Sequence, residues 1–428
     1  MTKRPGISSI IILALVGCAA APGQTARPPL DTTTFVVMGE GLAAGMANYG
    51  LSTVVQQYSF PAQIAKQMGT AFVQPLIQPP GIGDVIGYPG QEVKLQVYPQ
   101  GSVRQFYKIP DQKDEAPPLF VMNLSVPGFT LADATTVKPE LPVARRNMKQ
   151  TVVNMLLGFP QLFLEGAPLW TQFEYAKALN PTLVLVELGF YEALDAAVSG
   201  QPSRIPDPAT FGQRYSAILA GLRAQNAEVI ATTIPNPIDT AYFSSPLFAA
   251  QINVSPPFVI LGGYQLTLED YVTRNGLMAI ANQFLSRAIG PLPAGSTMRA
   301  SVAADITARV NALNAAIRSA ATSNGAVVYD LNAFFRRIRT TGARVGNTNL
   351  TADYLGGFYS LDAVYPGPTG HALLANDVLA FINTTYGRSF PLVNPATIAA
   401  NDQAVSARRV TSATPGHTAA SLGLSNIE

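Results

Sequence analysis

Histidine occurs at two positions only, His371 and His417, and cysteine at one, Cys18. Acyl-transfer chemistry needs a nucleophile, a base within hydrogen-bond reach, a group that orients the base, and donors for the oxyanion. His417 lies in a polar C-terminal stretch, so a histidine-based site would have to use His371, with Asp362 and a serine such as Ser125 or Ser360. Ser125 belongs to a strand-like run and Ser360 to a turn-like one, and His371 begins a helix, where the positive end of the dipole opposes the imidazolium a base must become. No Gly-x-Ser-x-Gly elbow occurs anywhere in the chain, which removes the α/β-hydrolase type of serine site. Two distant histidines, one cysteine and no paired carboxylates at ligand spacing do not make a zinc site. Gly81-Ile82-Gly83, in a proline-rich loop, reads as a turn and not as a phosphate cradle. No metal and no cofactor are expected.

Positioning such residues requires a scaffold, and the hydrophobic pattern supplies one. Phe35 to Met38 is a continuous apolar run, as is Thr182 to Leu188 up to Glu187, and Val229 to Ile234 and Ala326 to Tyr329 follow. Runs of this kind suit strands buried on both faces of a parallel sheet. Between them lie helical signals. Ser59 to Gly69 has proline near its start and glycine just past its end. Phe211, Tyr215, Ile218, Leu219 and Leu222 fall on one helical face, as do Met298, Val302, Ile306, Val310, Leu313 and Ile317, the latter stopped by Asn324-Gly325. Alternating strands and amphipathic helices predict an α/β fold with a central parallel sheet of about five strands, covered on both sides. Val93, Leu95 and Val97 alternate with polar residues and suggest a small β insertion at about 85–110. The region 236–295 interrupts the alternation with an unusually apolar insertion, read either as a satellite core or as a lid over the strand ends. Residues 391–428 are polar and small and read as a tail, loosely docked at most from 400 onward. No internal repeat is present.

Four stretches, in order, resemble the blocks of the SGNH/GDSL hydrolases. The first is Phe35-Val36-Val37-Met38-Gly39-Glu40-Gly41-Leu42, a strand followed by what in that family is Gly-Asp-Ser-Leu. The second is Asn123 to Gly128. The third is Gly189-Phe190-Tyr191-Glu192, against the family's Gly-x-Asn-Asp. The last runs from Ser360 through Asp362, Tyr365 and His371 to Asn376, against Asp-x-x-His-Pro and the helix after it. The resemblance spans about 34–383 and implies a three-layer SGNH-like, flavodoxin-like fold for 33–390. It also implies what is missing. Gly41 stands at the nucleophile position, Glu40 where aspartate is usual, Tyr191 where an asparagine would donate to the oxyanion, and Tyr365 where the catalytic histidine would be. Asp362 is retained, and Gly128 keeps the backbone N–H that needs no side chain. His371 corresponds to the family's second histidine, which is not the base.

No catalytic set is therefore intact. The expected cleft is lined by Glu40, Gly41, Gly128, Gly189, Tyr191, Glu192, Asp362, Tyr365 and His371. A residue without a side chain cannot attack a carbonyl, so the sequence favours a pseudo-hydrolase that holds an acyl or glycan ligand, or a partner, without turning it over. The alternative is an active ester hydrolase, a lipase, esterase or acyl-carbohydrate esterase, using a non-standard site around His371, Asp362 and a displaced serine.

The N-terminus carries an address. Thr2-Lys3-Arg4 is a short basic region, Ile7 to Val16 is an apolar run too short to span a bilayer, and Leu15-Val16-Gly17-Cys18 resembles a bacterial lipobox. That implies a signal peptide over 1–18, lipidation of Cys18, a Pro/Gly/Ala/Thr-rich tether over 19–32, and an exported protein anchored in the cell envelope. Ala19 after the cysteine points to the outer membrane. The membrane is thus the expected partner. A net charge of +2 without long basic runs leaves no electrostatic footprint for nucleic acid, and no pattern in the chain sets an oligomeric state.

Overall fold

A computed structural model describes residues 29–79, 81–83, 120–140, 147–162 and 164–413. The predicted signal peptide with Cys18, most of the tether, the predicted β insertion and residues 414–428 lie outside the described residues.

Four parallel strands form the central ladder: β1 (Phe35–Gly39), β2 (Leu183–Glu187), β3 (Glu228–Thr232) and β4 (Val327–Tyr329), in that spatial order. β1 and β2 are buried at every position, which explains why they read as unbroken apolar runs. A fifth segment runs parallel to the free edge of β1. The Val37 N–H donates to Met122 O at 2.9 Å, and the Leu124 and Val126 N–H groups donate to Val37 O at 2.9 Å and Gly39 O at 3.1 Å. With 122–126 counted second along the chain, the strand order is 2-1-3-4-5. This is the doubly wound, flavodoxin-like order, whose switch point lies beside the first strand.

Helices cover the sheet in two layers. On one side α1 (Phe60–Met68) packs against α5 (Pro368–Tyr386); on the other, α3 (Pro208–Arg223) packs along α4 (Ala300–Ser323). The ends follow the sequence signals. Ser59 accepts the Ala62 N–H, and Gly69 closes α1 at φ +70°, a left-handed conformation that costs glycine little. Between β2 and α3 lies α2 (Phe190–Ser199).

The insertion 236–295 forms an antiparallel sheet with the residues just after it, in which Tyr271–Thr273 pairs with Phe243–Ser244 and, on its other side, with Thr297–Met298. Phe243, Ile260, Val272, Leu277 and Ile280 are buried in it, so a satellite core exists, continuous with the main one. It leans on the loops after β1 through the Arg274 guanidinium, which sits 4.9 Å from the centre of the Tyr49 ring.

The predicted tail differs from the structure over its first half. Pro395–Ala399 and Gln403–Ala413 are helical. Ala399, Ala404 and Val405 are buried, and so is Asp402. Asp402 accepts the Thr369 N–H at 2.8 Å and the Ala404 N–H at 2.9 Å. It therefore caps α5, whose own N-cap residue, Gly367, has no side chain to do so. A few small apolar side chains and one capping carboxylate suffice to dock this segment. Sequence periodicity cannot register so short a pattern.

Among the described residues no helix is long and apolar enough to cross a membrane.

Candidate functional site

Gly41, Gly128 and Gly189 each follow the carboxyl end of a parallel strand, β1, 122–126 and β2, at the switch point of the sheet. Gly128 and Gly189 have φ of +77° and +110°, which only glycine adopts freely. At Gly189 a Cβ would also lie 2.6 Å from Ile234 Cδ1. Tyr365 reaches the same place from the far end of the chain. Its ring lies edge-on to Phe190, with centroids 6.3 Å apart, and its O–H donates to Glu40 Oε2 at 3.1 Å. The four blocks therefore converge.

What they form is a filled site. A Cβ placed on Gly41 would lie 2.5 Å from Tyr365 Oη, 2.7 Å from Cζ and 3.0 Å from Met46 Sδ. The space that a side chain at position 41 would take is occupied by the Tyr365 phenol. Glu40, Gly41, Gly128, Gly189, Glu192, Asp362, Tyr365 and His371 are all buried, and Tyr191 alone of the predicted cleft is partly exposed.

Beneath the phenol lies a cluster of buried acids. Glu40 caps the turn after β1, its Oε1 accepting the Leu42 N–H at 2.8 Å. Glu187, the last residue of β2, accepts the Glu40 N–H at 3.2 Å and the Ala43 N–H at 3.3 Å through Oε2. Glu192 accepts the Leu131 N–H at 2.6 Å, which joins the second block to the third, and its other carboxyl oxygen has no partner among the described residues. Burial pushes the carboxyls of Glu40 and Glu192 up to about 7. Glu187 is raised well above the usual range by burial and then by Glu40. The Tyr191 phenol is pushed up to about 12 by burial, with Asp195, Asp133, Glu40 and Glu192 acting in the same direction. Water-excluded carboxyls that lack a cation favour the protonated form.

Glu187 was not among the residues expected here. Its signal was available, as an acid ending the otherwise apolar run Leu183-Val184-Leu185-Val186, directly before the third block.

Asp362 and His371, expected in the cleft, make other contacts. Asp362 Oδ2 accepts the Ser360 hydroxyl at 2.6 Å, while Oδ1 accepts the Val364 and Tyr365 N–H groups at 2.7 and 2.9 Å. Ser360 Oγ in turn accepts the Asn48 N–H at 3.0 Å. The carboxylate thus ties a turn and pins the loop after β1. His371 Nδ1 accepts the Phe60 N–H at 3.3 Å, and burial lowers the ring to about 3. It is a neutral residue joining α5 to α1. Ser125 is buried, and its Oγ has no hydrogen-bond partner among the described residues. Neither serine is bonded to His371, so the predicted alternative triad is not assembled. Among the described residues no group of three or more His, Cys, Asp or Glu side chains could hold a metal ion.

No protein-family model matches the sequence, and no curated protein matches it. Solved structures similar to this chain include TesA, at 12% identity, covering 82% of this chain and 98% of that one with a TM-score of 0.34. An acetyl xylan esterase matches at 13% identity, 81% and 99% coverage and a TM-score of 0.33. A phospholipase A1 from Streptomyces albidoflavus matches at 11% identity, 83% and 100% coverage and a TM-score of 0.35. Likenesses this remote carry no functional weight, and what the site can do follows from its own residues.

Proposed function

We propose that the chain is a catalytically silent SGNH-type domain, exported and lipid-anchored through Cys18, that serves the cell envelope by binding and not by ester hydrolysis. The observation that carries the reading is the overlap of Tyr365 with the side-chain space of Gly41, at 2.5 Å. Loss of the nucleophile alone could be recent drift. Here the neighbouring phenol has filled the vacated volume and hydrogen-bonded to Glu40, so the core of the former cleft is now part of the packed interior. Tyr191 marks the rim where an acyl or glycan ligand, or a partner, would rest. The structural engagement of Asp362, Ser360 and the His371 Nδ1, and a Ser125 hydroxyl that is not bonded to His371, argue against the active-enzyme alternative.

A fluorophosphonate probe labels only activated serines. The expected result is no labelling of the full chain and background hydrolysis of a short p-nitrophenyl ester. Robust turnover abolished by His371→Ala would refute the reading. For the anchor, Cys18→Ala or globomycin should shift processing, and a mature protein that begins elsewhere and fractionates away from membranes would refute lipidation.

A further inference from the structure

Between Asp239 and Glu269 the chain contains no Asp, Glu, Lys, Arg or His. Of the ten large hydrophobic residues exposed among the described residues, six lie in the insertion: Leu247, Val254, Phe258, Leu268, Leu285 and Ile289. Phe258 is 74% exposed and Val254 70%, values that a soluble fold has no reason to select at adjacent turns of one motif.

Local geometry explains how they come to be displayed. Helices Pro246–Ile252 and Pro257–Gly263 pack on one another as a hairpin, and in the second only Ile260 is buried. A Cβ on Gly262 or Gly263 would meet nothing within 4 Å, so the C-terminal end of the second helix has open space beside it. Tyr264 then ties it down. Its hydroxyl donates to Gln283 Oε1 at 3.0 Å, and the same oxygen accepts the Gly290 N–H at 3.0 Å. That brings the hairpin alongside the end of helix Arg274–Ser286, where Leu285 and Ile289 are exposed and Arg287 adds a cation.

We propose that the hairpin tip, Val254 and Phe258, docks on a phospholipid bilayer and inserts its apolar side chains into the interfacial layer, with Leu285 and Ile289 exposed near the helix to which the hairpin's other end is tied. An exposed, charge-free tip fits a fluid surface, which needs no complementary groove. A protein partner would have to supply one, and such interfaces normally carry a polar rim. A neighbouring cation suits the phosphate level of the bilayer. The inference is independent of the reading of the Tyr365 site.

Trp170 is the chain's one tryptophan, so Trp170→Phe with Phe258→Trp in the full chain, in a Cys18→Ser background, provides a single reporter at the tip. It is mixed with phosphatidylcholine/phosphatidylglycerol vesicles, with and without brominated acyl chains. The expected result is a blue shift and strong quenching by the brominated lipid, and Val254→Ser should weaken the partition about tenfold. Tethering by the N-terminal apolar run alone would leave position 258 in water. An unquenched reporter on vesicles that carry the protein would therefore overturn the proposal. So would a blue shift without lipid that grows with protein concentration, which would assign the tip to a second copy. Phe258→Cys labelled with an environment-sensitive dye, with Trp170 kept, repeats the measurement should the tryptophan variant fold poorly.

Discussion

Gly41→Ser would introduce a hydroxyl just beyond β1, and the packing around position 41 decides its effect. Ordinary contact begins near 3.4 Å, whereas the new Cβ would stand 2.5 Å from Tyr365 Oη and 2.7 Å from Cζ. The ring must therefore withdraw by about 1 Å. It cannot do so freely, because Tyr365 is fully buried, lies edge-on to Phe190 and donates its O–H to Glu40. Overpacking of this kind costs about 1–3 kcal/mol, and breaking the hydrogen bond to a buried carboxyl adds about 1–3 kcal/mol. Gly41→Ser alone should thus destabilise by about 2–6 kcal/mol. Tyr365→His alone removes buried ring volume and should cost about 2–4 kcal/mol. Together they relieve the clash, so the double variant should be more stable than the sum of the two losses by about 1–3 kcal/mol. Urea denaturation followed by circular dichroism, run as a double-mutant cycle, measures this coupling. Additivity within about 0.5 kcal/mol would refute the claim that the phenol fills the space at Gly41.

Catalysis should lag behind that repair. Asp362 is already saturated by Ser360 and two backbone N–H groups, so Gly41→Ser/Tyr365→His should hydrolyse p-nitrophenyl acetate near background, and only adding Ser360→Ala and Tyr191→Asn should raise it, the latter by an oxyanion donor worth about 3 kcal/mol; a highly active double variant would contradict this assignment. Glu40 and Glu192 are raised from 4.5 to about 7 in the fold, so the native state holds extra protons and stability should fall as pH rises from about 4.5 to about 7, by roughly 3 kcal/mol for each group. His371, lowered to about 3, acts oppositely between about 3 and 6.5, so the diagnostic is the comparison with wild type: Glu40→Gln and Glu192→Gln should each flatten the fall in urea midpoint between pH 5 and pH 8, and an unchanged slope would refute the assignment. Asp402→Ala removes the cap of α5 and should cost about 1–2 kcal/mol, read as a lowered melting temperature; no shift would mean that the C-terminal helices do not support α5.

Much of this molecule is determined by its sequence because the deciding interactions are local. Unbroken apolar runs place β1 and β2, Ser59 and Gly69 close α1 through their own side-chain oxygen and left-handed φ, and the 3.6-residue periodicity of Ile306, Val310, Leu313 and Ile317 fixes the buried face of α4. The order of the blocks likewise identifies which residues gather at the carboxyl ends of the strands, since a doubly wound sheet leaves few other places for them. The glycine at position 41 is as plain in one dimension as in three. Tertiary structure decides what fills the space beside it. That Tyr365 lies over Gly41, that Glu187 sits beneath Glu40, and that Ser360, held by Asp362, accepts the Asn48 N–H all depend on contacts between residues far apart in the chain. Asp402, in a stretch that reads as a polar tail, caps a helix it does not belong to. Such contacts leave no period in the sequence, because each is made once, between two residues whose spacing along the chain carries no information about their distance.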